Sequence, residues 1–161
     1  MERESILLMN ALLFEEGHPR RTQHILKVYA MAKTLSQYAG LNESEERTLV
    51  AASILHDIAI KVCKVKYGDA CQENQRREAP AIIRDMALEA GYEEGDLERI
   101  TYLVVNHHRY KDIKETDYQV LVEADLLVNI MEGEMDINLS QAERIFKTPK
   151  GLELLHNLNI I

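Results

Sequence analysis

The chain has 161 residues, 46% of them apolar and 29% charged, with a formal net charge of −8. That length suits one domain able to bury its own core, and the acidic balance disfavours a nucleic-acid surface or an anionic membrane face, because phosphates would be repelled over most of the molecule. Seven Gly and three Pro leave little material for tight hairpins, so helices are expected.

Residues 3–14 read as a short opening helix. Its apolar run from Ile6 to Phe14 is broken by Asn10 and flanked by acids, which is unlike a signal peptide. No segment reaches the ~18 uninterrupted apolar residues of a membrane span. Gly17-His18-Pro19 ends that helix. The next covers about 20–39, with Ile25, Val28, Ala32, Leu35 and Ala39 at helical spacing and Gly40 as its stop. Asn42 with Glu45 reads as a capping box for a helix over 43–60, apolar almost all round from Leu49 to Ile60 and therefore central. Residues 61–77 are basic and polar and read as a long loop, with or without a helical turn in it. Pro80 suits the first turn of a helix over 79–90, ended by Gly91. Asp96 is placed to cap a helix over 97–108, and another helix covers about 117–132. Ser140 with Glu143 forms a second capping pattern, and Thr148-Pro149 starts a last helix. Nothing alternates with period two. The expectation is one all-α domain over 1–161, with a core over about 20–130 and a helical tail over 140–161. Cys63 and Cys71, the only cysteines, lie eight apart, which is neither a CxxC pair nor a disulfide framework. Reduced thiols in a cytoplasmic protein are expected.

Ionisable residues in apolar helical surroundings are the best functional clue. His56-Asp57 lies in the run Ile54-Leu55-His56-Asp57-Ile58-Ala59. Burying an unpaired carboxylate costs several kcal/mol, on the order of the penalties known for isolated charges, so a cation, a salt bridge or a helix cap must compensate it. Asp125 sits in Val120–Val128, on a stripe shared with Leu121 and Asn129; a buried structural acid and a ligand are both open. His24 lies on the apolar face of its helix, four residues before Val28. A satisfied core histidine is the plain alternative there. Together the four offer two imidazoles and two carboxylates with no thiolate, a set that suits Mn, Fe, Co, Ni, Zn or Mg.

A single His, then His-Asp at the end of an apolar helix, then a distant Asp in another apolar helix, on an all-α chain, resembles the HD-domain metal-dependent phosphohydrolases. The matching residues are His24, His56-Asp57 and Asp125, and the resemblance spans about residues 20–130. Phe146-Lys147-Thr148-Pro149-Lys150-Gly151 is similar to a tail of some small bacterial members. The resemblance implies a helical fold, a metal at these four residues and hydrolysis of a phosphomonoester or phosphodiester, with a nucleotide or a small phosphorylated metabolite as substrate.

Two-metal members add histidines between the His-Asp pair and the final Asp. From Ile58 through Asn106 this chain has none, so one divalent metal is expected. His107 and His108 follow. His107 is in phase with Ile100, Leu103 and Val104, and either faces the site or merely ends its helix. Glu78 stands where a relative offers an extra histidine; it completes a second metal site, acts as a base or favours a helix start through the dipole. The glycine-tyrosine-proline signature of cyclic-dinucleotide phosphodiesterases is missing. Lys61 and Arg77 flank the pair in a basic stretch that is either a solvated face or an anion-binding rim. On this reading Asp57, Glu78 and His107 carry the catalysis, and Lys61 and Arg77 hold a phosphorylated substrate. The alternatives are a non-catalytic metal-binding regulatory module and a di-iron oxygenase of the same fold. Self-association is left open.

Overall fold

The computed structural model describes residues 1–161 as a succession of helices with no strand. They are α1 (Arg3–Phe14), α2 (Pro19–Ser36), α3 (Glu43–Leu55), α4 (Ile60–Tyr67), α5 (Gln72–Glu89), α6 (Glu94–Asn106), α7 (Thr116–Glu132), α8 (Leu139–Ile145) and α9 (Pro149–Leu158). The all-α expectation holds.

Helix starts follow local capping chemistry. Asn42 Oδ1 accepts the Glu45 N–H at 2.9 Å, and Glu45 accepts the Asn42 N–H at 2.9 Å, closing the expected box of α3. The α6 cap is Glu93, and Asp96 is its reciprocal partner in the first turn, three residues later than the cap itself. For α8 the box is Asn138 with Gln141, not Ser140 with Glu143.

The stretch 61–77 departs from the loop expectation. It contains all but the first residue of α4 and the first turns of α5, so α5 begins eight residues before Pro80, which sits inside it. The physical reason is that α4 buries only Cys63, too little to leave an apolar stripe in the sequence. Conversely α3 stops at Leu55. Residues 56–59 form a tight turn, with Ile58 N donating to Leu55 O and Ile60 N to Asp57 O. The His-Asp pair therefore lies in a helix-to-helix corner.

Helices α3 and α7 are the central pair. Thr48–Leu55 of α3 and Asp117–Val128 of α7 are buried throughout. Helix α2 packs on both, α1 and α6 cover α3, and α9 packs on α7. One contiguous core runs from Leu7 to Leu155. No helix is long and apolar enough to cross a membrane. Both cysteines are free thiols, Cys63 buried and Cys71 exposed.

The tail docks through a buried charge. Glu123 on α7 has no exposure. It accepts the backbone N–H groups of Lys147 at 2.6 Å and Thr148 at 2.9 Å, the Thr148 hydroxyl, and Gln119 Nε2 at 2.7 Å. This places a carboxylate at the positive end of α9. Gly151 makes room for it: a Cβ there would overlap Glu123 Oε2 and stand 2.7 Å from Thr148 Oγ1. Gly151→Ala should therefore destabilise the protein by about 1–3 kcal/mol, the usual cost of overpacking. A thermal melt should show a midpoint at least about 2 °C lower; an unchanged midpoint would mean that the carboxylate does not hold the tail in this way.

Candidate metal centre

Three imidazole Nε2 atoms and two carboxylates converge between α2, α6, α7 and the corner after α3. His24 Nε2 lies 3.1 Å from His56 Nε2 and 3.2 Å from Asp125 Oδ1. Asp57 Oδ2 is 3.6 Å from His24 Nε2 and 3.4 Å from His56 Nε2. His107 Nε2 approaches Asp57 Oδ1 at 3.6 Å and Asp125 Oδ2 at 3.9 Å. The chain thus brings His24, His56, Asp57 and Asp125 together and adds His107.

Each ring is turned the same way for a physical reason. His56 and His107 cap the C-terminal ends of α3 and α6, where the last carbonyls lack helical partners. His56 Nδ1 donates to Ser53 O at 2.7 Å, and His107 Nδ1 donates to Val104 O at 2.6 Å. His24 Nδ1 faces Glu132 Oε2 at 3.1 Å, and Lys27 holds the other Glu132 oxygen at 3.1 Å. A proton on Nδ1 leaves Nε2 of a neutral ring as a bare lone pair. The carbonyl or carboxylate behind each ring is the outer support typical of metal-bound histidine.

The donor set fits a divalent cation. His107 Nε2 and Asp125 Oδ2 are buried without any hydrogen-bond partner, an expensive arrangement unless something binds them. The close approach of two imidazole nitrogens with their Nδ1 protons committed elsewhere also calls for positive charge between them. The field has the same sign. Burial would depress the His24 imidazole, but the Asp125 hydrogen bond and the charges of Asp57, Asp125 and Glu132 push it up to about 9. Burial would raise the Asp57 carboxyl, yet the His56 and His107 imidazoles hold it well below the usual carboxylate range. Burial and the neighbouring His107 press His108 down to about 4, so its ring is neutral and free to ligate.

Two groups could hold an ion: His24, His56 and Asp57, adjoined by Asp125, and Asp57, His107 and His108. They share Asp57. The second group comes from the histidine pair just beyond the long histidine-free interval, where the α6 C-terminus supplies what the interval lacks.

The remaining expected site residues lie elsewhere. Glu78 is engaged by Lys66 at 2.7 Å and by the Tyr67 hydroxyl and belongs to neither ligand group. Lys61 donates to the Phe14 carbonyl. Arg77 is exposed beside Glu73 at 3.5 Å. The cavity that opens onto His24 and Asp57, about 530 Å³ in volume, is lined by none of these three; its cations are Arg20, Arg21 and Lys64. Lys64 belongs to the basic stretch read from the sequence as a solvated face or an anion-binding rim, whereas Glu132, Arg20 and Arg21 were not expected there.

The sequence model of the HD domain family matches residues 21–145, and the chain belongs to that family. Its members are mostly metal-dependent hydrolases and bind divalent metals. No curated protein and no solved structure matches the chain.

Calorimetric titration with Mn or Zn should show binding abolished in Asp57→Ala and Asp125→Ala. In Glu132→Gln it should be about 10–100-fold weaker, as for other outer-shell partners of metal-bound histidine. Wild-type affinity in all three variants would remove the cluster as a metal centre.

Proposed function

We propose that the protein is a metal-dependent phosphohydrolase acting on a small phosphorylated substrate. The observation that carries this reading is the convergence of His24, His56, His107, Asp57 and Asp125, with two of their atoms buried and unpartnered, beside an open cavity onto which His24 and Asp57 face. His24, His56, Asp57 and Asp125 would hold a divalent cation, and His107 with His108 would hold a second beside Asp57. Bound there, a divalent cation supplies the positive charge that polarises a phosphoryl oxygen and acidifies water.

The chain's own residues divide the remaining work by exposure. His56 and Asp125 are 2% and 1% exposed; they are fixed and dry, and they position. The Asp57 side chain keeps 20% exposure and that of His24 keeps 12%. Asp57 is therefore the group that meets water entering the cavity, and its depressed pKa keeps it an acceptor that orients the water hydrogens. His107, only 2% exposed, braces Asp57 from behind rather than exchanging protons with solvent. Glu78, tied to Lys66 and Tyr67, has no part in this reading.

Chelated protein reloaded with Mn or Mg should release phosphate from at least one member of a panel of nucleotide, sugar and aryl phosphates. Asp57→Ala should lower kcat at least about a thousandfold, as expected when a group central to charge stabilisation is lost. A folded, metal-loaded protein silent on the whole panel would favour a non-catalytic metal-binding module.

A further inference from the structure

Two of the three cations of the cavity stand in an unfavourable place. Helix α2 carries Arg20 and Arg21 in its first turn and no acid there, although a helix N-terminus repels positive charge. For Arg20 the compensation is visible, since it pairs with Glu134. Lys64 has no ionic partner and is exposed on α4 beside the cavity.

Arg21 is different. Its Nε donates to Glu15 Oε2 at 2.7 Å, and Glu15 is only 1% exposed. The guanidinium is thus clamped by a buried carboxylate at the end of α1, across the turn Gly17-His18-Pro19. Yet only one edge is used: Nη2 is buried with no hydrogen-bond partner. A counterion made only for Glu15 would present both donors of its fork to the carboxylate. Arg21 lines the cavity that contains His24 and Asp57, and one of its donors is taken by no protein acceptor.

The remaining wall narrows the ligand. Ile60 is the one large apolar side chain on it and no Tyr, Phe or Trp lines it; apart from His24 its only rings are those of His18 and Pro19, and Asn129, Glu132 and Glu134 supply polar groups. Small-molecule sites are usually lined mainly by apolar and aromatic side chains, the surface a nucleobase or aryl group would pack on. A polar wall with carboxylate and amide groups suits hydroxyls.

We propose that Arg21, braced by Glu15 and joined by Lys64, anchors the anionic group of a hydroxyl-rich phosphate ester, of the sugar- or polyol-phosphate class, over the metal centre. The proposal rests on the phosphohydrolase reading above and adds the substrate class and the anchor. Arg21 is preorganised because Glu15 fixes its Nε before substrate arrives, so little ordering remains to be done on binding.

The test uses full-length, metal-reloaded protein with glycerol 3-phosphate, glucose 6-phosphate, adenosine monophosphate and p-nitrophenyl phosphate. The expected result is a higher kcat/KM for the two polyol and sugar esters than for the nucleotide. Arg21→Met and Lys64→Met should each raise KM for those esters about tenfold or more, the scale of a lost hydrogen bond to a charged group, with kcat and metal content within twofold of wild type. Inhibition by inorganic phosphate should weaken in parallel. If Arg21→Met does not fold because Glu15 is left buried and unpaired, Glu15→Gln/Arg21→Met removes both charges, and Lys64→Met stands alone as an exposed substitution. Turnover with a preference for the nucleotide, or with KM unmoved in folded variants, overturns the anchor and leaves the phosphohydrolase standing. Silence on all four esters overturns both.

Discussion

Two carboxylates, Asp57 and Asp125, are held against three imidazoles in a space closed by α2, α6 and α7, and much of the molecule is arranged to make that tolerable. Like charges in a poorly solvated place repel, and each carboxylate alone would be driven toward its neutral form. The imidazoles offset this only in part, since Asp125 Oδ2 and His107 Nε2 remain unsatisfied. Cations in the two ligand groups that share Asp57, one adjoining Asp125 and the other reaching His107, would satisfy both atoms. The helices must then meet at fixed distances, which explains why α3 ends early in a tight corner and why α6 ends on a histidine.

Support for the cluster comes from charges placed against the helix dipoles. Helix α7 ends on Glu132 with no basic residue in its last turn, and α2 begins with two arginines. The two helices run antiparallel, so these ends meet. Glu132 takes His24 and Lys27, and Glu134 takes Arg20. Each placement is mildly unfavourable in its own helix, and the pairing across helices recovers the loss while aligning His24. At the other end of α7, Glu123 binds the α9 N-terminus. The helix that carries Asp125 is thus pinned by ionised groups on both sides of that residue.

Much of this was legible in the sequence, but unevenly. The helical class followed from scarce Gly and Pro and from apolar stripes such as Ile25, Val28, Ala32 and Leu35, all buried. His56, Asp57 and Asp125 stood out as ionisable residues in apolar runs. Their grouping with His24 came from the ordered resemblance, because spacing alone does not say which helices touch. Helix α4 was illegible because it is amphipathic over barely one buried residue. Lys61 was drawn toward the site by chain proximity to Asp57, Arg77 by the basic stretch and Glu78 by its place in the resemblance, yet Lys61 on α4 and Arg77 and Glu78 on α5 engage other partners. Glu132 and Arg21 did leave a signal, a charge of the wrong sign at a helix end, which becomes meaningful once the helix boundaries are known. Glu15 left none: a glutamate beside a Gly-Pro turn reads as exposed.

The account depends on one shared ion binding residues that lie about a hundred positions apart in the chain, and its most direct test is the thermal unfolding of wild-type protein, stripped by chelation and then reloaded. Binding only to the native state stabilises by about 2.7 kcal/mol at a hundredfold excess of free metal over its dissociation constant. The melting midpoint should therefore rise by roughly 5–10 °C on reloading for a chain of this size and should keep rising with free metal. Coincident melting curves, with stripping and reloading both verified by elemental analysis, would contradict the claim that His24, His56, Asp57 and Asp125 share an ion.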